Sequence, residues 1–180
     1  MPHLLVMQLK FARCELLRGL EGLSDADAAV RFLPMNCIAW NVAHLANQEQ
    51  RNWLTRMQGR TPWADLQSLY GYGALPSSPM LSEVLETWRQ VTAECDRYLD
   101  LLDESGVQQP FLLDGKPSPS NIGTMLLRQV YHYWYHLGEN MAIRQMLGHT
   151  RLAEYVGDLQ GFAPYTPSDS SSLNCNSCSR

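Results

Sequence analysis

Apolar residues recur at helical spacing in four long segments of the chain, and each segment predicts a helix. In residues 3–20 the apolar stripe consists of Leu5, Leu9, Ala12, Leu16 and Leu20, and the basic side chains fall outside it. A repeat of three to four residues is typical of an amphipathic helix that buries one face. We therefore expect the first helix over residues 3–20.

The second and third helices are predicted by different signals. Residues 37–57 contain neither glycine nor proline, and Asn36 is a residue type that caps helix N-termini, so a helix is expected to run from there to Gly59. The third helix is expected after Ser82 as its cap. Its unbroken apolar stripe consists of Val84, Trp88, Val91, Cys95, Tyr98 and Leu102.

The fourth helix is predicted over residues 122–147, with Ser120 or Asn121 as its cap and Gly148 as its end. Shorter signals fill the connections. Ser24 and Asp27 resemble a capping box that opens a short turn, and the Pro- and Gly-rich stretch between the second and third helices predicts a long irregular connection.

Four long helices without a convincing alternating strand predict an all-α four-helix bundle with long connections and a short C-terminal extension. We expect residues 1–165 to form this single domain. Residues 166–180 are expected to be a disordered tail, because they are polar and low in complexity. The tail holds Cys175 and Cys178, a CxxC pair to which no function is assigned because no second pair accompanies it.

Composition excludes several classes of partner. The chain has 180 residues, 45% of them apolar, and its 14 basic and 18 acidic residues give a formal charge of -4. This charge offers no general attraction to nucleic acid or to an anionic membrane, so neither is expected as a partner. Since no apolar run approaches the roughly 20 residues that span a bilayer, and the N-terminus lacks a signal-peptide pattern, we expect a cytoplasmic protein.

Candidate chemistry is concentrated in the fourth helix, in the stretch VYHYWYHLGENMAIRQMLGH. At about 100° per residue, His132, His136 and Glu139 share one helix face with Ile143, so this face is expected to point into the bundle. The neighbouring aromatic residues are spread around the helix and are expected to be mostly core or interface. Histidines at positions i and i+4 present their ring nitrogens to a common point, which is a spacing that recurs in metal sites.

A third protein ligand is needed to complete such a site, and His44 is the best candidate because it lies well inside the second helix. His3 and His149 lie outside the predicted helix interiors. The residues alone leave alternatives open: His44 is also compatible with a core histidine, and an HxxxH pair also arises by chance. On the helical wheel His44 falls beside Trp40 and Gln48, at the border of the apolar face.

Two stretches, NCIAWNVAHLANQEQRNWL and HYWYHLGENMAIRQMLGH, resemble the signature regions of the DinB-like superfamily of small bacterial metal-binding four-helix bundles. The resemblance covers residues 1 to about 160. It implies that His44, His132 and His136 hold a divalent metal ion, with zinc favoured and nickel or iron as alternatives. Many members carry glutamine at the position of Glu139, so the resemblance leaves the role of this acid open.

The resemblance also implies an activity, because superfamily members include transferases that conjugate low-molecular-weight thiols to electrophiles. We therefore expect a metal-dependent thiol transferase whose partners are a small-molecule thiol and an electrophilic substrate. Glu139 is expected to be catalytic by handling a proton, or to support a ligand. A homodimer is also expected.

Two other functions are compatible with the same motifs. The first is a non-catalytic stress or interaction protein, in which a fourth protein ligand closes a structural metal site. The second is the iron-binding part of a sulfoxide synthase, which ranks last because the chain lacks room for the second domain of those enzymes.

Overall fold

The computed structural model describes residues 2–165, in which four long helices account for most of the helical residues. The elements are α1 (Leu4–Leu20), α2 (Asp25–Ala28), α3 (Ile38–Glu49), α4 (Leu66–Tyr70), α5 (Leu81–Leu99), α6 (Glu104–Val107), β1 (Pro110–Leu113), β2 (Lys116–Asn121), α7 (Ile122–Met146) and α8 (Leu159–Phe162). The predicted all-α fold is confirmed, and its four helices are α1, α3, α5 and α7.

The side-chain contacts between the long helices give their directions. Asn41 on α3 meets Asn140 on α7, whereas Asn52, just beyond α3, meets Gln129, so the two helices are antiparallel. The α1 and α5 helices are also antiparallel, because the ammonium group of Lys10 contacts Asp100 and Arg13 contacts Asp96.

The α1 and α7 helices are parallel. Gly123 near the start of α7 lies against Leu5, and Leu137 further along lies against Gly19. It follows that α3 and α5 also run in the same direction as each other. The connection between α3 and α5, which contains α4, therefore crosses the length of the bundle, and this explains why it is long.

The helix that begins at Ile38 does not end at Glu49, but its hydrogen-bonding pattern changes there. Residues Gln50–Arg56 continue it as a π-helix, in which each bond spans five residues instead of four. The sequence predicts a continuous helix over this region but contains no signal for the change. Side chains after Glu49 consequently point in other directions than an α-helical wheel assigns to them.

The sequence shows no convincing alternating strand, but the structure contains one short pair of strands within residues 2–165. β1 and β2 form an antiparallel hairpin, joined by Asp114 and Gly115, which both have positive φ values of 50° and 74°. An Asp-Gly pair with this geometry is a strong hairpin signal. Pro117 and Pro119 in β2 concealed it, because proline is disfavoured in strands other than edge strands.

Two of the predicted caps are also wrong. The cap of α3 is Cys37 rather than Asn36, and the cap of α5 is Met80 rather than Ser82. Ser82 instead bonds through its backbone amide and hydroxyl to Asp25, and this contact joins α5 to α2. In contrast, Asn121 caps α7 as predicted, by accepting a hydrogen bond from the amide of Thr124.

A buried polar network connects all four long helices. The Glu49 carboxylate is fully buried and accepts hydrogen bonds from Arg13 Nε at 2.7 Å and from the Tyr133 hydroxyl at 2.7 Å. The indole of Trp88 donates to the same hydroxyl at 2.8 Å, and Arg13 also pairs with Asp96. A buried carboxylate is tolerated only when it is paired and hydrogen-bonded, so these partners have to meet for the bundle to close.

No helix within residues 2–165 is both long enough and apolar enough to cross a bilayer. The tail that the sequence predicts to be disordered, with Cys175 and Cys178, lies outside the described residues.

We expect Arg13→Ala to lower the free energy of unfolding by about 3–5 kcal/mol, because it leaves the Glu49 carboxylate buried without its cation. Arg97→Ala is the matched control, since Arg97 is 78% exposed and pairs with Glu94 at the surface. Its expected cost is below about 1 kcal/mol. Urea unfolding measures both values, and equal costs would contradict a structural role for the buried pair.

Candidate metal centre

Three histidine side chains from two helices converge on one point. His44 comes from α3, and His132 and His136 lie one turn apart on α7. The Nε2 atom of His132 lies 3.3 Å from Nε2 of His44 and 3.0 Å from Nε2 of His136. One ring nitrogen from each histidine lies within 4.8 Å of the others, which defines the three-histidine site and makes it able to hold a metal ion.

The spacing of these nitrogens fits ligands of a single ion. Imidazole nitrogens bind zinc at about 2.0–2.1 Å. When the angle between two such ligands at the metal lies between a right angle and the tetrahedral angle, their nitrogens are about 2.9–3.4 Å apart. Both short Nε2–Nε2 distances fall in this range. The imidazole donor set also suits a divalent transition metal of intermediate softness better than magnesium or calcium, which prefer oxygen ligands.

The orientation of His44 is set by its neighbours on two elements. The Nδ1 atom lies 2.7 Å from the backbone carbonyl oxygen of Tyr70, at the end of α4. Because a carbonyl only accepts hydrogen bonds, Nδ1 carries the proton and Nε2 keeps its lone pair. The ring also stacks on Trp40 at a centroid distance of 5.0 Å. The crossing connection between α3 and α5 therefore helps to orient this ligand.

Glu139 orients His136 in the same way. One carboxylate oxygen of Glu139 accepts a hydrogen bond from His136 Nδ1 at 2.8 Å and another from the Asn41 side-chain amide at 3.1 Å. The proton on Nδ1 again leaves the lone pair on Nε2. A carboxylate behind a ligating histidine fixes its tautomer and raises its basicity.

The surroundings keep two of the rings neutral at physiological pH. Burial lowers the pKa of His44 to about 4, despite the opposing hydrogen bond to Tyr70. Burial, followed by repulsion from His136 and His44, lowers the pKa of His132 to about 3. Neutral imidazole is the form that binds a metal, so no proton has to be removed from either ring before binding.

One side of the site opens into a cleft. His44 and His132 form part of the wall of a cavity of about 850 Å³, which is also lined by Arg51, Arg128 and Gln129. We call this cavity the arginine cleft. Within residues 2–165 no aspartate, glutamate or cysteine joins the three histidines as a fourth metal-binding group.

The structure brings together all three of the predicted ligand residues, and it places the other two histidines elsewhere. His3 accepts a hydrogen bond from the backbone amide of Leu5 at the start of α1, and His149 contacts Arg144. The wheel position of His44 at the border of the apolar face agrees with its place in the cleft wall beside Gln48.

Sequence reasoning missed two groups that support the site. The first is the backbone carbonyl of Tyr70, which has no side-chain signature. The second is Asn41, which lies one turn before His44 and bonds both Glu139 and Asn140. The spacing of three residues between Asn41 and His44 indicates that both side chains face the same side of the helix, so Asn41 can be predicted to lie near the site.

His132→Ala should remove metal binding, because two histidines do not hold an ion stably against solvent. Wild-type protein purified without chelator is expected to contain about one divalent ion per chain by elemental mass spectrometry. His149→Ala is the matched control and should retain the wild-type content. Metal loss in both variants, or metal absent from wild type after reconstitution, contradicts the three-histidine site.

Glu139→Ala should weaken metal binding by about 10- to 100-fold, the usual cost of removing the partner of a ligating histidine. Glu139→Gln should cost less, because its amide oxygen can still accept the bond from His136 Nδ1. Competition with a chromophoric chelator measures both affinities, and the exposed Glu86→Gln serves as control. Unchanged affinity in Glu139→Ala would show that this carboxylate does not support the ligand.

Comparison with known proteins identifies the family of this chain. No curated protein matches the chain. The family model described as the DinB superfamily matches residues 8–140, a range that includes all three histidines and Glu139. Since the match extends over most of the chain, the protein belongs to the DinB superfamily.

Proposed function

We propose that this protein is a metal-dependent transferase that activates a low-molecular-weight thiol for attack on an electrophile. The observation that carries the proposal is the opening of the three-histidine site into the arginine cleft, where His44 and His132 both form part of the wall. A site with three protein ligands and an open side is the arrangement that catalytic metal centres use.

The alternative of a purely structural ion is less well supported. Structural zinc sites are closed by four protein ligands. The histidine cluster has three such ligands among the described residues, and a cavity large enough for a small molecule lies next to it. An interaction protein with a structural ion has no need for this cavity.

Zinc is the metal that we favour, with nickel or iron as alternatives, because three neutral imidazoles suit all of them. Bound in this way, zinc lowers the pKa of a coordinated water or thiol and so supplies a nucleophile at neutral pH. The protein's own contribution is to present three Nε2 lone pairs together, with the second nitrogen of His44 and of His136 already hydrogen-bonded.

The attacking sulfur is expected to come from a cosubstrate. Cys37, the one cysteine inside the signature stretches, is completely buried, and its thiol donates to the backbone carbonyl of Ser77. Glu139 is proposed to act mainly by supporting His136, because its bonds go to that ring and to Asn41. A role in proton transfer remains part of the proposal.

The overall reaction is a nucleophilic substitution or addition. With an alkyl chloride as electrophile, the sulfur lone pair forms a new carbon–sulfur bond, and the carbon–chlorine bond breaks. Chloride leaves with the bonding electron pair, and the thiol proton passes to solvent. No oxidant or reductant is required.

A homodimer is also proposed. Tyr131 and Tyr135 on α7 are each 65% exposed, and large exposed aromatic rings are enriched in interfaces between proteins.

Zinc-loaded protein should accelerate conjugation of a small thiol to monochlorobimane, followed by the fluorescence of the product. Metal-free wild type and metal-free His132→Ala should both give the uncatalysed rate, and zinc should restore the rate of wild type alone. A panel of cysteine, mercaptosuccinate and 2-mercaptoethanol covers thiols of different charge. Rates equal to the metal-free control with every thiol would favour the structural ion instead.

A further inference from the structure

The arginine cleft carries a local positive charge that the overall charge of -4 conceals. Arg51, Arg56 and Arg128 all line it, together with His44 and His132. No aspartate or glutamate from residues 2–165 lines the same cavity. Three cations that share one cavity without an acid repel one another unless an anion lies between them.

Two of these arginines reach the cleft because of the π-helical segment Gln50–Arg56. In an α-helix, side chains five residues apart point about 140° away from each other at 100° per residue. A π-helix bonds residues five apart, so Arg51 and Arg56 lie on neighbouring turns and face the same cavity. Such segments are frequent at functional sites.

Arg51 and Arg128 have no carboxylate partner within the described part of the chain. The ion pairs of residues 2–165 include neither of them, and the Nε atom of Arg51 is buried without a hydrogen-bond partner. Burial, and then the charges of Arg56 and Arg128, lower the pKa of Arg51. The buried guanidinium of Arg13, in contrast, is paired with the carboxylate of Glu49.

Gln129 adds a neutral donor at the same place. Arg56 donates to Asn52 Oδ1 at 3.2 Å, so the amide nitrogen of Asn52 points to Gln129 and donates to its Oε1 at 2.9 Å. This chain of bonds leaves the Gln129 Nε2 group as a donor. Gln129 is only 2% exposed, lines the cleft, and its Nε2 has no partner. A buried unpaired donor is costly, and a ligand that accepts its hydrogen bond removes the cost.

We infer that the arginine cleft binds the anionic part of a small substrate, a carboxylate or a phosphate group, through Arg51, Arg128 and Gln129. Guanidinium groups match the geometry of both anions through paired N–H donors. A cavity of about 850 Å³ is in the size range of small-molecule sites. The inference rests on the proposed function only for the identity of the bound molecule, a negatively charged thiol or electrophile whose reacting end lies at the three-histidine site.

Titration calorimetry of zinc-loaded protein with succinate, with inorganic phosphate and with neutral succinamide tests the inference. We expect at least one of the two anions to bind, and succinamide not to bind. Arg51→Gln and Arg128→Gln should each weaken anion binding by about 10-fold or more, the usual effect of losing a charge-assisted hydrogen bond. Arg89→Gln is the matched control, since Arg89 is an exposed arginine of α5 outside the cleft.

Zinc content and thermal melting of each variant show that it is folded and loaded. Arg128→Gln keeps the test decisive if Arg51→Gln fails to fold, because Arg128 is exposed and forms no ion pair in residues 2–165. Preference for succinate over phosphate identifies the carboxylate as the recognised group, and the opposite preference identifies phosphate. Anion binding that is absent, or unchanged in both cleft variants, overturns the inference. Arginine-dependent binding of a single-stranded oligonucleotide without binding of either small anion also overturns it.

The conjugation assay separates this inference from the proposed function. If succinate or phosphate binds through the cleft arginines but no thiol is conjugated, the anion site stands and the transferase proposal fails. If thiols are conjugated at rates that depend neither on the charge of the thiol nor on the presence of the cleft arginines, the transferase proposal stands and the anion site fails. If both hold, mercaptosuccinate should react with a lower KM than 2-mercaptoethanol, and Arg51→Gln should remove that difference.

Discussion

The fully buried carboxylate of Glu49 is the constraint on which the arrangement of the four helices depends. It accepts hydrogen bonds from Arg13 on α1 and from Tyr133 on α7. The indole of Trp88 on α5 donates a hydrogen bond to the Tyr133 hydroxyl. A charge removed from water is stable only with these partners in place, so the network selects one rotation of each helix. Tyr133 is the neighbour of His132, and Glu49 lies at the end of the α-helix that carries His44. The same rotation that satisfies Glu49 therefore turns the three histidines toward one another.

The three-histidine site depends on groups that do not themselves reach the metal. The carbonyl of Tyr70 accepts a hydrogen bond from Nδ1 of His44, and the carboxylate of Glu139 accepts one from Nδ1 of His136. With these protons fixed, the Nε2 lone pairs of His44 and His136 remain available to a metal ion, and both atoms lie close to Nε2 of His132. The open side belongs to the arginine cleft, whose charge comes from α7 and from the π-helical continuation of α3. Rigid helices thus supply the ligands, and a local irregularity of one helix shapes the adjoining cavity.

Sequence reasoning recovers what periodicity controls. The four long helices follow from apolar stripes, because each helix buries one face, and the relation of His132 to His136 follows from helix geometry alone. His44 is a candidate third ligand because it lies well inside a helix, but the family resemblance is what joins it to that pair, since a wheel gives the face of a residue and not its partner on another helix. The hairpin does not emerge from the pattern, because Pro117 and Pro119 disfavour a strand and outweigh the turn signal of Asp114 and Gly115. Two features have no sequence pattern, because they arise from backbone hydrogen bonding. One is the Tyr70 carbonyl, and the other is the π-helical segment that brings Arg51 and Arg56 to the same cleft.

The central claim is that the chain binds one metal ion through three imidazoles and leaves a coordination position open to the cleft. A crystal structure of the zinc-loaded protein, with anomalous diffraction data at the zinc absorption edge, tests it most directly. The account predicts a single ion about 2.0–2.1 Å from Nε2 of His44, His132 and His136, with a non-protein ligand on the side of the arginine cleft. A fourth protein ligand in that position, or an ion bound away from these three nitrogens, would contradict it.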